Sequence, residues 1–180
     1  MAIGLFGYKA AWGGFFPLVF VNFLPIYSNE IDRDLSLAYT YYQNAMIYSG
    51  GDPTKLESRE SYNELKRAVI DEAISREIIY RELESIMGRS EIDEISGRNI
   101  EKALDGRADT EEGVEKLYGL NLEDFKAQIL LPQARKEILE GRMTLKNLDF
   151  NSWLGKTRSE SSIMIFSSVF GWDGERVVLN

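Results

Sequence analysis

The chain reads as mainly α: a small helical domain of about five helices, with a short N-terminal strand and a short C-terminal β-hairpin. Three observations predict this. Apolar residues recur at three- and four-residue steps from Ile31 to Ile138; glycines with flanking caps punctuate that pattern at Gly50-Gly51, Gly88, Gly106, Gly119 and Gly141; and the apolar runs that read as strands, Val19 to Val21, Ser162 to Phe166 and Val177 to Leu179, lie towards the two ends.

Val19-Phe20-Val21 suits a short buried strand. It lies within twenty consecutive uncharged residues, Ala10 to Asn29, a length that can span a bilayer. Gly13, Gly14, Pro17, Asn22 and Pro25 argue against a spanning helix, and the single late lysine, Lys9, argues against a cleaved signal peptide. Residues 1–27 are therefore expected either to pack on the domain or to make possible membrane contact.

The first helix is expected from Ser28 to Tyr48, capped by Ser28 or Asn29, with Ile31, Leu35, Ala38, Tyr42 and Met46 on one face. A polar connection around Pro53 leads to a long helix, Leu65 to Met87, whose apolar surface is wide enough to make it central to the core. Gly88 ends it, and Ser90 is placed to cap the next helix, about Glu91 to Leu104, which Gly97 weakens by about 1 kcal/mol relative to alanine. Asp109 or Thr110 starts a short helix ending at Tyr118-Gly119. Asn121 then caps a further helix to Gly141, with Leu120 and Phe125 spaced as a hydrophobic staple. Pro132 should kink that helix, because it lacks an N–H and crowds the carbonyl of Gln128. Beyond Thr144, Leu148 to Leu154 suggests a short helix or turn, Ser162 to Phe166 a strand, and Trp172-Asp173-Gly174 a turn before Val177–Leu179. The organisation is a 1–27 apolar segment, a 28–145 helical domain and a 146–180 tail packed on it.

Composition narrows the chemistry. The 180 residues carry 29 acidic and 21 basic side chains, a formal charge of -8, with no basic block, so nucleic acid is not an expected partner. With no cysteine and no histidine, the chain has neither thiol chemistry nor the commonest general base and transition-metal ligand. No phosphate-binding loop, nucleophile elbow or dinucleotide fingerprint is present, and Asp105-Gly106-Arg107-Ala108-Asp109 lacks the ligand alternation of an EF-hand. The acidic residues are read as helix caps and solvated surface. No cofactor and no metal are expected.

Binding has more material. Tyr39, Tyr41, Tyr42, Met46 and Tyr48 cluster on the first helix, and such amphipathic side chains suit varied apolar partners. The alternative is ordinary packing, with Tyr42 and Met46 in the core. Trp153, Phe166, Phe170 and Trp172 likewise belong either to a ligand surface or to a tail folded back on the helices.

Several of these motifs together resemble the N-terminal domain of SurA-like periplasmic chaperones. Val21-Asn22-Phe23-Leu24-Pro25-Ile26 followed by Glu30-Ile31 is similar to the family's opening Val-Asn-Gly-x-x-Ile strand and first helix. Leu65, Ile70, Asp71, Ile74, Glu77 and Ile79 are similar to its Leu-x-x-x-Ile-Asp-x-x-Ile helix, Ser90, Ile92 and Asp93 to the following helix start, and Tyr118-Gly119-Leu120 with Phe125 and Ile129 to its last turn and helix. The resemblance covers Val21 to Arg142, and it departs at Phe23, where the family has glycine. It implies a holdase that binds unfolded or exported polypeptides outside the cytoplasm, in the periplasm or cell envelope. Family members often carry a parvulin prolyl isomerase domain as well; the 38 residues after Arg142 are too few for one and lack its histidines. The opening Ile3-Gly4-Leu5-Phe6-Gly7-Tyr8-Lys9 looks like the outer end of a membrane anchor.

The resulting expectation is chaperone-like binding without catalysis. Tyr39, Tyr42, Met46, Phe125, Trp153 and Trp172 are the peptide-contact candidates. The competing expectations are a divergent peptidyl-prolyl isomerase and a membrane-associated scaffold with one fixed partner.

Overall fold

The computed structural model describes residues 16–105 and 110–180, and the mainly α expectation holds. The chain opens with a hairpin, β1 (Pro17–Val21) and β2 (Leu24–Tyr27), which runs directly into α1 (Ser28–Tyr48). A 3-10 turn (Pro53–Glu57) precedes the long α2 (Arg59–Met87), then α3 (Arg89–Leu104) and α4 (Thr110–Tyr118). Next come α5 (Leu122–Phe125), a π turn (Lys126–Leu130) and α6 (Leu131–Leu145). The tail adds α7 (Phe150–Glu160) and three strands, β3 (Ile163–Ile165), β4 (Phe170–Trp172) and β5 (Val177–Leu179). The expected membrane-anchor end, Ile3 to Lys9, lies outside the described residues. Among them, no helix is long and apolar enough to cross a membrane.

The strands form two small antiparallel sheets: β2-β1-β3, and the β4–β5 hairpin. Ser162–Phe166 was expected as a strand, but its partner was not foreseen. Here it pairs with β1, Val19 opposite Ile165 and Val21 opposite Ile163. A bulge between Pro17 and Val19 turns Leu18 and Val19 both inward, which breaks the alternation of a regular strand.

Asn22 and Phe23 form the two-residue turn between β1 and β2, both with positive φ (49° and 69°), the primed geometry that suits a tight hairpin. Asn22 earns its position by hydrogen bonding: its backbone N–H donates to the Ser162 carbonyl (2.8 Å), and its side-chain oxygen accepts from the Ser162 N–H (2.9 Å). Phe23 makes no such bond and is 77% exposed. A bulky residue in left-handed backbone is disfavoured by about 1 kcal/mol relative to glycine. Phe23→Gly is therefore expected to raise the unfolding free energy by about 1 kcal/mol in urea titration.

Several boundaries differ from the sequence reading. The N-cap of α1 is Tyr27, not Ser28 or Asn29; the Glu30 carboxylate folds back to accept the Tyr27 N–H (3.2 Å). The long helix begins at Arg59, six residues before Leu65, because Ser58 caps it by accepting the Ser61 N–H (3.1 Å). Its first turn is polar, so apolar spacing gives no sign of it. Between α2 and α3 the cap is Gly88 (φ 76°) rather than Ser90, which lies inside the first turn of α3. Pro132 leaves the Gln128 carbonyl without its α-helical donor, and the chain answers with the π turn, where the Leu131 N–H reaches the Lys126 carbonyl.

As expected, α2 is central. Its Ile70, Ala73 and Ile74 meet the β1–β2 hairpin, Ile31 and Leu35 of α1, and Phe170 and Val177 of the tail. Its far end, Ile79 and Leu83, packs with Ile92, Leu139, Met143 and Phe150. Trp153 and Leu154 pack against both clusters and join them. At about 25 cal/mol per Å² of apolar area removed from water, this double core is the main source of stability.

Candidate functional site

The tail is held on α2 by a polar knot centred on Arg158, beside which Arg67 Nη1 donates to the Val177 carbonyl (3.3 Å). Arg158, only 9% exposed, donates through Nη2 to Asp71 Oδ1 (2.6 Å), through Nη1 to Ser75 Oγ (2.6 Å) and through Nε to the Glu175 carbonyl (3.0 Å). The same Asp71 oxygen accepts the Val177 N–H (2.9 Å), and the guanidinium lies 5.2 Å from the Trp172 ring centre. Trp172 thus packs on the core beside this knot, and Trp153 packs between the two clusters.

With the tail anchored there, α1, α2 and the π turn enclose a different surface. It has two adjoining clefts, of about 260 and 720 Å³, which share Glu72, Arg76, Gln128 and Ile129. No residue beyond Lys136 lines either cleft. The smaller one is aromatic and aliphatic: Leu37, Tyr41, Tyr42, Leu65 and Tyr118 surround it. The larger continues past Tyr80 towards Arg135 and Lys136.

The aromatic end is built from three helices. Tyr118 stacks on Tyr41 (centroids 4.9 Å, 23°), Tyr42 meets Tyr41 edge-on (5.5 Å), and Phe125 leans on Tyr118 (5.0 Å). Such pairs contribute about 1 kcal/mol each beyond their area. The Asn44 side chain fixes α4 against α1 by donating to the Leu117 carbonyl (3.1 Å). Burial, reinforced by Tyr41, pushes the Tyr118 phenol pKa up, so it stays neutral at physiological pH.

The polar groups of the groove differ in how far they are committed. Asp34 pairs with both Arg33 and Arg76, Glu77 binds Arg81 (2.6 Å), and Arg135 reaches Asp93 (3.2 Å) while lying over the Tyr80 ring (4.5 Å). The Arg135 Nε is buried with no acceptor. The Glu72 side chain lines both clefts, with the charges of Arg76 and Lys136 acting on it. Although water reaches it, the surrounding protein desolvates its carboxyl and pushes its pKa up, with Arg76 and Lys136 opposing.

The sign of that shift sets a test. A carboxyl whose folded-state pKa exceeds its unfolded value of about 4.3 binds protons more readily when folded, so stability falls as pH rises from that value through the folded-state pKa. Glu72→Gln is expected to melt higher than the parent at pH 7, with the difference vanishing below about pH 4. Thermal melts at pH 3.5, 5.5 and 7 check this.

Of the peptide-contact candidates, Tyr42 lines the aromatic cleft and is 47% exposed, not buried as the packing alternative had it. Phe125 supports that cleft through Tyr118. Tyr39 faces a separate depression beside Leu56, Arg59 and Tyr62. Met46 stays half-buried near the end of α1, where its carbonyl accepts the Gly51 N–H (2.7 Å). Sequence reasoning overlooked Tyr118 and Gln128 as groove residues. Tyr118 looked like a helix terminus, and nothing in its local pattern signals a stack on a ring 77 positions earlier.

Among the described residues, no group of three or more carboxylates is placed to hold a metal ion. The arrangement is an aromatic pocket opening onto a ledge of amide and charged groups. No protein-family model matches the sequence, and neither does any curated protein or any solved structure.

Proposed function

We propose that this protein is a holdase, a SurA-like chaperone domain that binds unfolded or exported polypeptide segments in the groove between α1, α2 and the π turn. The observation that carries this reading is that the groove stays open while the tail packs elsewhere on α2. The resemblance of Val21 to Arg142 to the SurA-like domain supports it and favours an extracytoplasmic setting. Binding is driven by apolar area removed from water at the Tyr41–Tyr42–Tyr118 end. Gln128 and Glu72 are available to a client backbone. The acidic surface keeps the complex soluble.

The test is suppression of aggregation with several unrelated unfolded proteins. All should be protected, and Tyr118→Ala should weaken client affinity about tenfold, whereas Tyr118→Phe keeps it. Recognition of a single folded partner, with no protection of unfolded chains, would overturn the proposal.

A further inference from the structure

A second apolar surface lies on the outer side of the β2-β1-β3 sheet. Phe20 pairs across the sheet with Pro25 on one side and Met164 on the other, which puts all three on one face. Phe166, two residues beyond Met164, crosses onto Phe20 edge-on (centroids 5.7 Å, 72°) yet is 57% exposed. Phe23 projects from the hairpin tip.

Phe23 is the informative residue. In a two-residue turn of this type Asn-Gly is the preferred pair, and Asn22 is already in place. An aromatic ring held in left-handed backbone and turned to solvent gains nothing from the fold itself. Its use must lie outside the chain.

Charge says what lies there. In a chain with 28% charged residues, the two segments that carry this sheet have none: Phe16 to Asn29, and Ser161 to Trp172. Phe16, which leads into β1, is itself 39% exposed. An anionic surface would repel the chain's net charge of -8 and find no lysine or arginine on these segments to pair with. A charge-free aromatic face instead matches the headgroup boundary of a neutral bilayer, where aromatic rings partition favourably.

We propose that the outer face of the β2-β1-β3 sheet, with Phe23 at its tip, docks on a zwitterionic lipid bilayer. The face lies parallel to the bilayer and inserts its rings at the headgroup boundary. The groove residues take no part in this.

The test is co-sedimentation of the full chain with phosphatidylcholine vesicles. Partitioning is expected to be insensitive to salt between 0.05 and 0.5 M. Phe23→Gly should weaken it about tenfold while raising the thermal midpoint, so loss of binding cannot be put down to loss of fold. Phe166→Asp should abolish it, and Tyr118→Ala should leave it unchanged. The proposal is overturned if vesicles do not bind, if only anionic vesicles bind and salt releases them, or if Phe23→Gly binds like the parent. It is equally overturned if the chain forms a dimer without lipid that Phe166→Asp dissociates, because the face would then belong to a second copy.

Discussion

Arg158→Leu is expected to lower the unfolding free energy by about 3 kcal/mol, the low end of the range for removing one partner of a buried ion pair. The low end applies because Asp71 keeps some solvent contact and retains the Val177 N–H. What is lost is the junction of three tail elements on α2: Arg158 belongs to α7, Glu175 to the β4–β5 turn, and Asp71 also binds β5. Leucine fills part of the space but leaves Ser75 and the Glu175 carbonyl short of a donor. Urea titration measures the loss, and limited proteolysis should cut first between residues 160 and 180. A double-mutant cycle with Asp71→Asn should give a coupling of about 2 kcal/mol; independence of the two sites would contradict the knot described above.

Trp153→Ala is the second large effect, about 3 kcal/mol by cavity formation. The indole touches both core clusters and lies 5.8 Å from the Phe150 ring, so its removal loosens α7 from α2 and α6 together. Trp153→Phe should recover about half of the loss. At temperatures where the alanine variant stays folded, its affinity for unfolded clients should equal the parent's, because Trp153 lines neither cleft of the groove. A selective loss of client binding would place the contact surface on the tail instead.

Legibility in the sequence followed how local each cause is. The extent of α1 was readable because its signals, an acidic first turn and the Gly50-Gly51 stop, are adjacent to what they control. So was the Asn121 cap, which accepts the Asp124 N–H (2.8 Å). The start of α2 was not readable from hydrophobic spacing, since a solvent-facing first turn has no apolar member. A break in the helical bonding at Pro132 was foreseeable as a kink, whereas the chain meets it with a widened turn in which the Leu131 N–H reaches the Lys126 carbonyl. The groove was least legible of all. It needs Tyr41, Glu72, Tyr118 and Gln128 in one place, and these come from four separate segments with no shared spacing. Phe23, by contrast, was visible as a departure from glycine, yet only backbone angles reveal that the departure is strained.

The pairing of β1 with β3 sets a condition on how the molecule folds. Val19 meets Ile165 only after a loop of about 145 residues has closed, an entropic cost of about 4 kcal/mol before any contact compensates it. The helices, whose contacts are nearer in sequence, can form first. During synthesis the hairpin therefore waits with one bare edge until the last fifth of the chain emerges. The β1–β3 ladder forms late, and refolding rates should respond far less to Ile165→Ala than unfolding rates do.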